Sequence, residues 1–163
     1  MRLDRTYRVA LFGHRDFSGH RLLEERLTPL LGDLLKNKPY VEIYVGRNGE
    51  FDIFVATIVR RLQKKLGEDN NELICVLPYP EKNIEYYEEY YGSVIIPECL
   101  GKTHPKGAIT KRNRWIVEQS DLIICYVERD VGGAFAAMKY AEKLNKNVIN
   151  LAQEQGTAIH GAD

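Results

Sequence analysis

The sequence predicts an α/β fold: a doubly wound, mainly parallel sheet with helices on both faces. Three observations carry the prediction. Apolar runs of strand length recur along the chain and alternate with longer segments of helical period. One of those runs, 122–127 (LIICYV), is unbroken, as suits a strand buried on both faces. Glycine-bearing turns stand between strands and the helices that follow them, where such sheets present their ligand loops.

Taken in order, residues 7–12 (YRVALF) make the first strand and 13–19 the turn after it. Ser18 is a candidate N-cap for a helix over 19–36, whose leucines recur at the spacing of one buried face, with Pro29 inside as a possible kink. Residues 41–45 (VEIYV) form a second strand. Gly46-Arg47-Asn48-Gly49 then opens a helix over 50–66, ended by Gly67. Residues 73–77 (LICVL) form a third strand, stopped by Pro78 and Pro80. Within 83–92, Tyr86, Tyr87, Tyr90 and Tyr91 alternate with glutamates, so a short helix sets two tyrosine pairs on one side. They either cover the domain edge or form an exposed aromatic platform. Residues 93–96 are a short strand-like piece. No acidic residue occurs from 101 to 115, a cation-rich stretch that is either a solvated face or a wall facing an anion. Its helix ends near Asp121; the strand 122–127, a polar turn, Gly132-Gly133 and an alanine-rich helix follow. Residues 147–151 are the last strand.

One domain over 1–151 accounts for the length, with a loose tail over 152–163 and a polar start at 1–5. Lysines plus arginines and aspartates plus glutamates are both 23, so the formal net charge is zero. Nucleic acid is therefore not expected as a partner, and neither is a membrane, since no run is long enough to span one. The three cysteines show no metal-type spacing; Cys75 and Cys125 fall in apolar runs and Cys99 in a loop. No metal site and no resident cofactor are expected, and the default setting is cytoplasmic.

The turns 13–18, 46–50 and 128–133 are expected to converge at the carboxyl edge of the sheet and to bind a phosphorylated small molecule there. Gly132 and Gly133 offer backbone donors at a helix start, although a tight turn with close packing explains the pair equally well. Arg15 and Arg112 are candidates for phosphate oxygens. Glu50 and Asp52 are either ribose readers or acids tolerated in a first helical turn. His14 is either a phosphate contact or proton carrier, or a hydrogen-bonded structural group.

On these residues the chain resembles the SLOG superfamily, which joins YpsA-like proteins to the LOG (lysine decarboxylase-like) phosphoribohydrolases. The resemblance rests on Gly13-His14-Arg15, on Gly46-Arg47-Asn48-Gly49-Glu50-Phe51-Asp52, and on the block from Arg112 through Ser120-Asp121 to Gly132-Gly133. It implies a Rossmann-like domain that binds nucleotides or nucleotide-derived ligands, often as a homodimer. LOG enzymes carry Pro-Gly-Gly-x-Gly-Thr-x-x-Glu, with an Arg and that Glu as the catalytic pair. Here Val131, Phe135, Ala136 and Lys139 stand at the Pro, second-group Gly, Thr and Glu positions. Asn113 follows Arg112 where the family has Lys. The chain is thus closer to the YpsA-like branch, for which no activity is implied.

The leading expectation is a domain that binds or senses a nucleotide-class ligand (NAD, ADP-ribose or nucleoside phosphate). Its site is Gly13, His14, Arg15, Gly46, Arg47, Asn48, Gly49, Glu50, Asp52, Arg112, Gly132 and Gly133. A first alternative is a hydrolase of an N-glycosidic bond, with Arg112, Glu50, Asp52 and His14 as weak catalytic candidates. A second is a protein or single-stranded nucleic-acid adaptor using the tyrosine helix and the basic stretch.

Overall fold

The computed structural model of the protein describes residues 5–47 and 49–153. Strand and helix alternate as β1 (Thr6–Gly13), α1 (His20–Asn37), β2 (Tyr40–Val45), α2 (Glu50–Leu66), β3 (Asn71–Val76), α3 (Ile84–Tyr90) and β4 (Ser93–Ile95). A 3-10 turn (Glu98–Leu100) leads into α4 (Pro105–Gln119), β5 (Leu122–Tyr126), α5 (Gly133–Lys143) and β6 (Asn147–Asn150). The six strands make one parallel sheet in the order β4-β3-β2-β1-β5-β6. This is the α/β class the sequence predicts.

Side chains alternate along a strand, so every central strand feeds two cores. Val9, Leu11, Ile43, Val45, Leu73, Cys75 and Ile124 pack with Leu23, Leu27 and Leu31 of α1 and Val55 and Val59 of α2. Their neighbours Ala10, Phe12, Tyr44, Ile74, Val76, Ile123 and Cys125 pack on the opposite face with Ile116 and Val117 of α4. On that face α5 contributes Ala134, Ala137 and Ala141, small side chains that let the helix lie close to the sheet.

From β1 the chain winds outward through β2, β3 and β4, then returns to place β5 and β6 on the other side of β1. The direction of winding reverses between β1 and β5, and the loops leaving these two strands diverge to opposite faces. This is the switch point at which open α/β sheets form a crevice. The register sets Gly13 opposite Tyr126, so both loops leave the sheet at one level. Asn150 fixes the start of the second loop: its buried side chain accepts from the Val127 N–H at 2.9 Å and donates to the Val127 carbonyl at 3.0 Å.

Several local expectations change. Ser18 does not cap α1; Gly19 occupies the N-cap position, with no side-chain cap, where a Cβ would lie 2.4 Å from the Tyr126 hydroxyl. The helix runs on through Pro29 to Asn37. The last strand stops at Asn150, and Leu151 is buried, its N–H bonded to the Cys125 carbonyl. Of the expected tail, Ala152 and Gln153 form a turn held by Arg26, which donates to the Gln153 carbonyl. The rest of that tail lies outside the described residues, as do residues 1–4. Cys75 and Cys125 are buried and Cys99 is exposed. No described helix is long and apolar enough to cross a membrane.

Candidate functional site

A cavity of about 310 Å³ opens at the switch point. The β1 loop supplies Gly13, His14, Arg15 and Asp16, and the β5 loop Arg129, Val131, Gly132 and Gly133. Gly46, Asp52, Arg112 and Asn113 complete much of the wall.

His14 ties the two loops together. Its Nε2 accepts from the backbone N–H of Glu128 at 3.1 Å and of Arg129 at 3.3 Å. Two donors on Nε2 require that atom to be unprotonated, which assigns the proton of the neutral ring to Nδ1. That nitrogen lies on the Gly132 side, 3.9 Å from where a Cβ on Gly132 would stand. Burial, with the Arg129 guanidinium nearby, holds the His14 pKa below the ordinary histidine value. The side chain is a neutral clamp that keeps one N–H donor toward the cavity. A proton carrier poised near neutrality would need the opposite shift, so the structure favours the structural reading of His14.

Above the clamp, Arg129 reaches back across the mouth to Asp16, one of its bonds measuring 3.1 Å. Gly132 has φ +94°, a conformation that a side chain strains, and it turns the chain into α5. The first amides of α5 consequently start at Gly133 on the cavity wall, with the positive end of the helix dipole behind them.

Arg112 forms the floor. It is 3 % exposed, donating from Nη1 to the Val76 carbonyl at 2.8 Å and from Nε to Asn113 at 2.9 Å. Burial lowers its pKa, opposed by the attraction of Asp52, and an arginine so placed remains a cation. Gly46 is required here: a Cβ would sit 2.9 Å from Arg112 Nη1 and 3.1 Å from Asp52 Oδ2. The bond to Val76 and the nearby Asp52 carboxylate fix the orientation of the guanidinium.

Of the residues expected to act together, Gly13, His14, Arg15, Gly46, Asp52, Arg112, Gly132 and Gly133 line this one cavity. Glu50 and Arg47 do not, and the expectation is corrected for both. Glu50 and Asp52 are two residues apart on α2 and so face different ways; Glu50 is exposed and lies 3.9 Å from His20 of α1. Arg47 turns away to the tyrosine helix, its guanidinium 4.0 Å from the centre of the Tyr87 ring. Gly49 serves as a packing contact, since a Cβ there would come within 2.6 Å of the Arg15 Cα. Asn48 lies outside the described residues. Lys139, at the position of the LOG glutamate, is ion-paired with Glu142 at 3.0 Å on α5.

The sequence reading missed Asp16, Arg129 and Ile109. Asp16 and Arg129 carry opposite charges in the two loops that flank the switch point, and that complementarity was the available signal. The tyrosine helix divides between its two expected roles: Tyr91 is buried against the larger core, whereas Tyr86 and Tyr90 stay exposed. Among the described residues no group of three or more His, Cys, Asp or Glu side chains gathers to hold a metal ion. Burial pushes the Cys75 thiol up to about 12, which makes it a packing group rather than a nucleophile.

No family model matches the chain, and no curated protein sequence matches it. Solved structures do. DNA processing protein A from Helicobacter pylori, described for its unique single-stranded DNA binding mode, superposes with a TM-score of 0.63 at 21% identity. That match covers 96% of this chain and 69% of the other. DNA processing protein A (DprA) from Streptococcus pneumoniae gives a TM-score of 0.66 at 16% identity, over 94% of this chain and 53% of that one. The chain therefore spans about two thirds of the first structure and about half of the second. At these identities the likeness establishes the fold, a Rossmann-like one at the level the SLOG resemblance implies.

The neighbours also correct one expectation. Nucleic acid was set aside as a partner because the net charge is zero, yet a protein with this fold binds single-stranded DNA. Net charge is an average over the whole surface and says little about one face. Here Lys102, Lys106, Lys111 and Arg114 are all exposed on or just before α4, the helix that also supplies Arg112 to the cavity floor.

Proposed function

We propose that the protein binds single-stranded nucleic acid, with a backbone phosphate seated in the switch-point cavity. The observation that carries this reading is the make-up of that cavity. Three arginines (Arg15, Arg112 and Arg129) face two aspartates (Asp16 and Asp52) in one space, beside the amides that open α5. The balance favours an anion, and donors fixed by Val76, Asn113 and the His14 clamp need little reordering to receive one. The basic surface of α4 continues outward from the same wall, as a polyanion requires and a single phosphate does not. The likeness to DprA supports the same reading, because the Helicobacter protein that shares this fold binds single-stranded DNA.

Fluorescence anisotropy with a labelled oligothymidylate tests the proposal. Binding is expected at low salt, weakening steeply as salt rises because counterions are released from the strand. Arg15→Glu, which alters an exposed side chain, is expected to abolish most of it. An oligonucleotide that fails to bind at low salt overturns the reading.

A second reading, in which the ligand is a free nucleotide-class molecule as in the YpsA-like branch, has one observation in its favour. The site is a concave pocket at the lower end of the volumes that hold whole small ligands, roughly 300–1,000 Å³. A rise in melting temperature with nucleoside monophosphates, NAD or ADP-ribose, without oligonucleotide binding, would select it.

A further inference from the structure

A second cavity, of about 230 Å³, lies between α2 and α3, lined by Arg47, Ile53, Ala56 and the four tyrosines Tyr86, Tyr87, Tyr90 and Tyr91. Its wall is shared with the first. Gly46 faces the switch-point cavity and Arg47 the tyrosine cleft; Asp52 faces the former and Ile53 the latter. Sequence neighbours thus line different cavities at both places, so the two spaces adjoin along the start of α2.

The cleft is apolar and open in a way that ordinary packing does not explain. Tyr86 is 69% exposed, Ile53 51% and Tyr90 40%, three large hydrophobic side chains left uncovered around one hollow. Each outer tyrosine is held by an inner one: Tyr86 meets Tyr87 edge-on at 6.0 Å, and Tyr90 meets Tyr91 at 5.2 Å. The inner rings are anchored in turn. Tyr91 is buried, and the Arg47 guanidinium stacks on the Tyr87 ring, whose hydroxyl donates to Glu81. A second guanidinium, Arg60, stands 5.7 Å from the Tyr90 ring. The result is a set of steadied aromatic faces beside cations.

We infer that this cleft is a base-stacking subsite: it takes a nucleobase of the same strand whose phosphate occupies the switch-point cavity. The inference rests on the proposed nucleic-acid reading and specifies its second contact. Every base has a π-face, and exposed tyrosines and arginine planes are the groups on which single-stranded bases stack without regard to sequence. The volume is smaller than a whole small-molecule site and fits one ring system better than a complete ligand. The adjoining of the two cavities at Gly46-Arg47 and Asp52-Ile53 sets a ring site beside a phosphate site, as one strand requires. A second copy of this protein is the competing occupant; the guanidinium planes of Arg47 and Arg60 beside the rings favour a base.

The test compares an oligothymidylate with an abasic strand of the same length, by anisotropy, on the wild type and on Tyr86→Ala, Tyr90→Ala and Tyr90→Phe. The wild type is expected to bind the base-bearing strand more tightly. Each alanine variant is expected to weaken that strand by about 5- to 150-fold, leave the abasic strand unchanged, and keep the wild-type melting temperature. Tyr90→Phe, which keeps the ring, is expected to restore binding. Wild-type binding that ignores the bases, or alanine variants that weaken both strands equally or neither, overturns this subsite while leaving the phosphate reading intact. Absence of any wild-type binding overturns both. A dimer in solution that Tyr86→Ala dissolves, with oligonucleotide affinity unmoved, assigns the cleft to a second copy and overturns the subsite.

Discussion

The two cavities on either side of Gly46 and Arg47 are made of different materials. The switch-point cavity is built from backbone and from side chains that already have partners. His14 clamps two amides, Arg112 is bonded to Val76 and Asn113, and Gly46 leaves the space that Arg112 fills. The tyrosine cleft lies between α2 and a seven-residue helix that supplies three of its rings, and its outer rings hang in solvent. The contrast teaches that a cavity walled by partnered polar groups is woven into the fold's stability, whereas exposed rings can be added at the edge almost without cost to the core. Mutations should separate the two: the buried residues of the first, such as Arg112, affect folding and binding together, whereas the exposed rings of the second, Tyr86 and Tyr90, affect binding alone.

The sharpest way to break that contrast is Arg112→Ala. It leaves the Val76 carbonyl without its guanidinium donor and Asp52 without its buried countercharge. A loss of about 3 kcal/mol is expected, or roughly 6–12 °C in melting temperature, together with loss of oligonucleotide binding. An unchanged melting temperature would show that the floor is not structural. Next in size is Gly49→Ala, where the new Cβ meets the Arg15 backbone at 2.6 Å. Overpacking there should cost about 1–3 kcal/mol in denaturant unfolding, because backbone on both sides cannot move aside cheaply.

The His14 clamp predicts a pH dependence. Its pKa in the fold lies below the ordinary 6.5 expected of the unfolded chain. Near 6.5 the unfolded state therefore holds more protons, and stability rises with pH. The contribution is complete above 6.5 and drains away as pH falls through that value toward the folded-state pKa, when protonated Nε2 can no longer accept from Glu128 and Arg129. Melting temperature should fall more steeply for the wild type than for His14→Asn between about pH 7 and about pH 5. Equal slopes would mean that the clamp does not titrate with folding.

Two smaller effects sharpen the cleft side and the mouth. Tyr86→Ala should change stability by no more than about 0.5 kcal/mol while weakening the base-bearing strand. Asp16→Asn removes an exposed ion pair across the mouth, so no measurable shift in melting temperature is expected. It should free Arg129 and tighten oligonucleotide binding a few-fold; weaker binding would mean that Asp16 positions Arg129 instead of competing for it.

The sequence by itself determined the strands, most helix limits and the order of alternation, because these follow from local periodicity. The helix over 50–66 matches α2 residue for residue. It also marked the glycine turns and Arg112, since a bare amide run and cations in an acid-free stretch are chemical signals in one dimension. It could not tell Glu50 from Asp52, or Arg47 from Gly46, because neighbours in sequence are thrown to opposite sides by helix geometry and by the chain's departure from a strand. Nor did it find the Asp16–Arg129 bridge, whose halves lie far apart along the chain and meet only because β1 and β5 are hydrogen-bonded neighbours. Local patterns specify which elements form. Only the winding of the sheet around β1 decides which side chains share a space.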